Sequence, residues 1–434
     1  MKPAMRNLTL FGLVAVAFLG TGFGQSWTLA MTILNMSLIS AVLALGVNIQ
    51  WGYAGLFNVG IMGFTAIGGL AVVLVSMPPI PEAWSAGGLG ALVGLAMGAG
   101  TIIAAIYLWQ HMAKGRLRVV AMIALLVVGY SLTRMVFAPA REAITAVNPA
   151  TQGYLGGAGL PVLLAWPVGA LFAAGLAWII GKISLGLRSD YLAIATLGIS
   201  EIVIAVLKFE AWATRGVNNV SGLPRPVTQP IELQTHEWVI SLSQSTGIDL
   251  INMASIVEKA GYAALFTVVL AILITLSELA LRSPWGRMMR AIRDNETAAR
   301  AMGKDVKARH LMVFVLGSGV CGLAGAMMVS LDGQMTPGSY EPLRFTFLMW
   351  VMVIVGGSGN NWGAVLGGFI IWFVWVQAEP MGRWLMDMLT AGMADDNALR
   401  LHLMAQSAHM RLIMMGAALL LMLRFAPRGL IPER

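Results

Sequence analysis

The sequence predicts an all-α polytopic membrane protein with about 10–12 transmembrane segments. Of its 434 residues, 58% are hydrophobic and only 11% charged, against about 25% charged in an ordinary soluble domain. Mean hydropathy is +0.78. Apolar stretches close to the roughly 20 residues that one crossing needs recur along the whole chain. These observations exclude an ordinary soluble enzyme and a disordered chain. The formal charge of +8, from 28 basic and 20 acidic residues, suits basic loops beside anionic lipid better than nucleic acid. No nucleic-acid partner is expected. Cys321 stands alone, so no intrachain disulfide can form.

Taken in order, the first apolar stretch follows Lys2 and Arg6. It reads as a retained helix over 8–24, because no A-x-A site follows and a second apolar segment begins almost at once. Further spans are expected near 28–50, 52–76, 87–109, 119–138, 161–181, 191–207, 262–281, 311–331, 345–357, 362–377 and 410–424, with 345–377 also readable as one broken hairpin. Twelve crossings place both ends on one side. Lys114, Arg116 and Arg118, then Lys182 and Arg188, then Arg424, Arg428 and Arg434 all fall on that side. So does the loop 282–310, with eight basic residues against three acidic ones. Basic loops mark the cytoplasmic face, so both termini are expected there. The segments 77–86, 139–160, 208–261 and 378–409 fall opposite. Residues 1–434 thus form a single transmembrane domain, with an external segment at 208–261 and a cytoplasmic loop at 282–310. The stretch from Ile231 to Lys259 has the mixed polarity of one or two helices lying on the external surface.

The residues offer no enzyme chemistry. The five histidines are scattered and none has metal-ligand spacing. No G-x-S-x-G nucleophile elbow is present. The run Gly356-Gly357-Ser358-Gly359-Asn360-Asn361-Trp362-Gly363 lacks the Lys-Ser/Thr pair of a phosphate loop, and glycine clusters of this kind let helices pack closely in membranes. The 29 methionines are dispersed and suit core filling. Neither a cofactor nor enzymatic activity is expected.

Three features carry chemistry of another kind. Glu201 lies mid-span, and a charge in hydrocarbon costs roughly 2.5–3.5 kcal/mol on insertion scales, so it must face protein or a water-filled path. Its reading divides between a pathway residue and a packing hydrogen bond to a neighbouring helix. Glu278 lies near the cytoplasmic end of its span, where it can snorkel or pair with Arg282. Next, the segment 48–64 combines Gly52, Gly55, Gly60 and Gly63 with Asn48, Gln50 and Asn58. Such backbone is tolerated at membrane depth only where it is buried in protein or lines a cavity, which leaves a translocation path and tight packing both open. Last, the loop 282–310 holds helix signals. Ser283-Pro284 suits a start, Asp294 a cap for a second short helix, Glu296 and Arg300 a favourable i,i+4 pair, and Gly303 a stop. Ala298, Ala299 and Met302 give that helix a small apolar face with a basic rim. It fits either a groove on a cytoplasmic partner or a solvated loop that only fixes orientation.

Four blocks resemble the permease subunits of branched-chain amino-acid ABC importers, the LivM type. They are Gly52-Tyr53-Ala54-Gly55 with Asn58, Gly60 and Phe64; Leu187 through Gly198, continuing to Glu201-Ile202; Gly286-Arg287 through Gly303; and Val355 through Gly359 with Trp362-Gly363, together with the ending Arg424 through Leu430. The resemblance implies an ABC importer permease related to the vitamin B12 importer type of helical fold. It implies a second homologous permease, two cytoplasmic ATPase subunits, an external substrate-binding protein and a small-molecule substrate, in the bacterial inner membrane. It places Glu296, Ala298, Ala299 and Gly303 at the positions that dock on the ATPase, with Arg293 and Arg300 in the same coupling loop, while Gly52, Gly55, Asn58, Gly60, Thr196 and Glu201 are the candidate pathway residues. The chain departs from the family where Asn58 and Gly60-Ile61 replace a Ser and a Gly-His pair, and 77–160 has no counterpart. Permeases for urea and short amides share the same blocks, so they remain an alternative substrate class. The rival from another class is a self-sufficient ion-coupled secondary transporter with Glu201 as its ion site.

Overall fold

The computed structural model describes residues 3–148, 152–394 and 397–433. Lys2 and Arg434, counted above with the basic clusters, lie outside the described residues. The principal helices are α1 (Pro3–Gly24), α2 (Trp27–Ala54), α3 (Ile61–Ser76), α4 (Leu89–His111), α5 (Arg116–Ala146), α6 (Val162–Ser184), α7 (Ser189–Phe209), α8 (Leu250–Arg282), α9 (Pro284–Asp294), α10 (Glu296–Ala301), α11 (Val306–Asp332), α12 (Pro342–Gly356), α13 (Asn361–Leu389) and α14 (Met410–Phe425). Among the described residues, ten helices are long and apolar enough to cross a membrane, and α3 and α12 are shorter apolar helices. Every span expected from the sequence coincides with a helix, and the chain is an all-α polytopic membrane protein.

Two boundaries differ from the sequence reading for physical reasons. The span placed at 52–76 is helical only from Ile61, because α2 runs on to Ala54 and the chain then leaves the helix at Gly55, whose φ of +67° favours glycine. The span placed at 262–281 begins twelve residues earlier, at Leu250, capped by Asp249, whose carboxylate accepts from the Ile251 amide. Part of the segment 208–261 therefore belongs to α8. Of the surface helices expected there, Pro230–Leu233 and Glu237–Thr246 are present.

The core follows from α2, which is apolar on all sides and must be enclosed. Helices α8, α11 and α13 surround it. Without a hydrophobic drive between helices in lipid, close approach needs small residues. A Cβ on Gly68 would lie 1.9 Å from the Gly322 carbonyl oxygen, and one on Gly325 would lie 2.0 Å from that of Thr65. Helices α3 and α11 therefore touch backbone to backbone. Helices α4 and α5 stand apart as a hairpin, packed on each other at Gly94 against Phe137 and Gly129 against Thr101. Their remaining surface is largely exposed apolar side chain, suited to lipid. A two-residue antiparallel pairing, Val220 with Met335, ties the segment 208–249 to the end of α11. Arg225 reinforces it with an ion pair to Glu258 at 2.6 Å.

Candidate functional site

The described parts of both termini reach the same end of the bundle. Asn7 and Glu433 line one cavity of about 430 Å³ together with Glu278, Arg282, Arg290 and Asn361. Parts of all four sequence blocks singled out above lie at this end, among them Gly55, Leu187, Arg293, Gly359 and Leu430.

Helix α2 arrives there carrying polar residues into a buried setting, where each needs a partner. Asn48 accepts from the Gly359 amide at 2.8 Å and donates to Asn361 Oδ1 at 3.2 Å. The Tyr53 hydroxyl donates to the same oxygen. Asn361 Nδ2 in turn donates to Glu278 Oε1 at 3.1 Å. The Glu278–Arg282 pair expected from sequence does form, at 3.6 Å, with Arg282 largely exposed. The inward hydrogen bond to Asn361 was not legible, since its partner lies 83 positions away.

Beyond Gly55 the non-helical residues are satisfied in the same way. Asn58 Nδ2 donates to Gln50 Oε1 and the Gly60 amide donates to Asn58 Oδ1, both at 2.8 Å. The Trp350 indole donates to the Asn58 carbonyl, and the Val59 amide to Thr196 Oγ1. A Cβ on Gly60 would lie 2.4 Å from the Thr196 carbonyl oxygen. Asn58, Gly60 and Thr196 therefore form a close-packed joint between α3 and α7. This geometry matches the tight-packing alternative for the segment.

Glu201 stands elsewhere. It lies on the exposed side of α7, while Thr196 is buried. It opens onto a cleft of about 1060 Å³ walled by α7, α12 and α14, with Trp375 of α13. Twelve residues separate it from the start of α7, roughly 18 Å at 1.5 Å per residue, so the cleft belongs to the opposite half of the bundle. Lys208, Arg344, His409 and Arg411 also line it. The guanidinium groups of Arg344 and Arg411 lie 5.2 and 5.9 Å from the Trp375 ring.

The loop 282–310 folds into α9 and α10. Pro284 starts α9, which buries Gly286, Met289 and Ile292 and leaves Arg287 outward. Asn295, not Asp294, caps α10, its Oδ1 accepting from the Ala298 amide at 2.9 Å. Arg300 pairs with Glu296, and Gly303, at φ +75°, ends the turn. Ala299 is buried against the chain itself, whereas Ala298 is exposed and Met302 is 79% exposed. The open apolar face is thus made by Ala298 and Met302. Arg293 ties this loop inward, donating to the Gly52 carbonyl and pairing with Glu433 at 2.9 Å. Gly55, Arg293, Glu296 and Arg300 share a cavity of about 360 Å³ with Leu187 and Ser189.

The glycine run 356–363 spans the end of α12, the turn 357–360 and the start of α13. Gly357 and Gly359 have φ of +121° and +81°, and a Cβ on Gly356 would lie 2.0 Å from the Gly363 carbonyl oxygen. Close approach of backbones explains these glycines without a nucleotide.

Residues 112–423 match the family described as "Branched-chain amino acid transport system / permease component". Over 272 residues, 61% of this chain, the sequence is 26% identical to the high-affinity branched-chain amino acid transport system permease protein LivM of Escherichia coli (strain K12), and the match spans 56% of that protein. It is 25% identical over 269 residues, 61% of this chain, to a probable LivM of Methanocaldococcus jannaschii, covering 67% of that protein. A shorter match, 30% identical over 104 residues and 24% of this chain, is to a probable LivH of the same organism, covering 32% of it. No solved structure matches.

Proposed function

This chain belongs to the branched-chain amino acid transport system permease family, and from that premise we propose that it is a membrane subunit of an ATP-driven importer for branched-chain amino acids. It works with a second homologous permease, two cytoplasmic ATPase subunits and an external substrate-binding protein, in a bacterial inner membrane with both termini cytoplasmic. The observation that carries this reading is the α9–α10 loop. It offers Ala298 and Met302 outward at the basic end of the bundle, while Arg293 ties it into α2. A partner moving on that face pulls on the core. ATP binding closes the ATPase pair, the loop follows, and the spans switch between outward and inward access. The Glu201 cleft supports the outward half of this cycle. An intramembrane carboxylate left open on one chain calls for cover by a second subunit or water.

The test is reconstitution of the chain with its partner subunits in proteoliposomes. ATP-dependent leucine uptake that needs the binding protein is the expected result. Uptake by the chain alone under an imposed pH gradient would instead establish the ion-coupled transporter. Orientation has its own check in a Cys321→Ser background. Thr235→Cys is expected to react with an impermeant thiol reagent in intact cells, and Lys304→Cys only after permeabilisation. The reverse pattern overturns the assignment of sides.

Glu201 adds a second measurement. If the side chain serves as a polar group lining a hydrated cleft, Glu201→Gln keeps uptake within about threefold, since Gln retains hydrogen-bonding capacity. Glu201→Leu lowers it about tenfold or more, because an apolar side chain leaves that wall of the cleft without a polar group; tenfold corresponds to about 1.4 kcal/mol. Abolition of uptake by Gln in an intact assembly would show that the charge itself is needed.

A further inference from the structure

The end of the chain, from Gly429 to Glu433, lies across the turn 356–360 as a strap. The Leu430 amide donates to the Val355 carbonyl and the Ile431 amide to that of Gly356, both at 2.9 Å. Asn360 Nδ2 donates to the Pro432 carbonyl at 3.2 Å. Gly429 sits so close that a Cβ there would lie 2.2 Å from Gly357 Cα. The strap carries Glu433, whose carboxylate meets Arg293 of α9 at 2.9 Å. Both side chains of this pair are mostly covered, with 24% and 31% exposure, so solvent screens it less than a surface pair.

The turn under the strap is the near end of a rigid lever. Helix α12 runs from the Glu201 cleft, which it walls with Arg344 and Phe347, to Gly356 at the strap. Helix α13 returns from Asn361 to Trp375 in the same cleft. A force on α9 passed through Arg293 and Glu433 reaches both helices at their common turn.

We propose that the strap is part of the transmission between ATP hydrolysis and transport, with Glu433 as the positioning residue that makes the α12–α13 turn follow the docking loop. The proposal rests on the reading of this chain as an ATP-driven permease. In the full importer, with its ATPases and binding protein in proteoliposomes, leucine moved per ATP hydrolysed is measured for Glu433→Gln and for Leu430→Pro. The first removes the charge that holds Arg293. The second removes the amide that bonds Val355 and leaves the Arg293–Glu433 pair chemically intact. Both are expected to assemble with the ATPases and to lower leucine moved per ATP at least fivefold. A purely structural strap would change the yield of assembled importer and leave that ratio alone. A wild-type ratio in the importer recovered from either variant, or failure of both to assemble at all, overturns the proposal. Absence of ATP-dependent uptake by the unaltered importer overturns the permease reading itself, and this proposal with it.

Discussion

Met302→Asp is expected to abolish recovery of ATPase subunits with the permease while leaving the amount of permease in the membrane unchanged. Met302 is a large apolar side chain, 79% exposed, at the outer edge of α10 and outside the spans. Full burial of such a side chain against a partner contributes about 1.5–3 kcal/mol. An aspartate there loses that contribution and also meets a desolvation cost of several kcal/mol if it is buried unpaired. With about 1.4 kcal/mol per tenfold in affinity, the combined loss exceeds a hundredfold. Co-purification of the ATPases and substrate-stimulated ATP hydrolysis are the measurements. Normal values for both would show that the α10 face is not the docking element. Ala299→Trp makes the contrast. That residue is buried within the chain's own apolar core, so a bulky side chain there overpacks the loop and costs roughly 1–3 kcal/mol of its stability.

The spans were readable because hydropathy reports burial in lipid directly, and all twelve expected segments contain a helix. The helices of the 282–310 loop were readable because their signals are local. Pro284 and Gly303 act within a turn of their own position. Where the sequence reading slipped, the deciding fact was a distant contact or a helical phase. Asp294 and Asn295 are both good caps, and only the backbone geometry at 295, with φ of −153°, selects the second. Ala298 and Ala299 look alike in sequence, yet one helical step turns the second inward. Thr196 and Glu201 lie in one recognisable block, but five residues along a helix place them on different faces, about 140° apart at 100° per residue. The joint at Arg293 was invisible for a stronger reason. Its partners Gly52 and Glu433 lie 241 and 140 positions away, and no local pattern encodes such a meeting.

A second long-range joint, centred on Asn361, sets the second large effect. Asn361→Leu is expected to lower the thermal midpoint of the detergent-solubilised permease far more than Asn360→Ala, one position earlier. Asn361 is 1% exposed and serves three partners, accepting from Tyr53 and Asn48 and donating to Glu278. Leucine keeps the branched skeleton and offers none of these bonds, so two buried donors and a carboxylate lose a partner together. Each orphaned buried group costs about 1–3 kcal/mol, more for a charged one, and a half-satisfied network is worse than an apolar core. The loss is on the order of 3–8 kcal/mol, comparable to the whole stability of many domains. Asn360 instead caps α13 through the Gly363 amide at 3.2 Å and holds the Pro432 carbonyl. Removing a cap of this kind costs about 1 kcal/mol. Glu278→Gln separates charge from geometry, because glutamine still accepts from Asn361 Nδ2 and should fall between the other two. Equal shifts for Asn361→Leu and Asn360→Ala would mean that the Tyr53–Asn361–Glu278 network does not hold α2, α8 and α13 together.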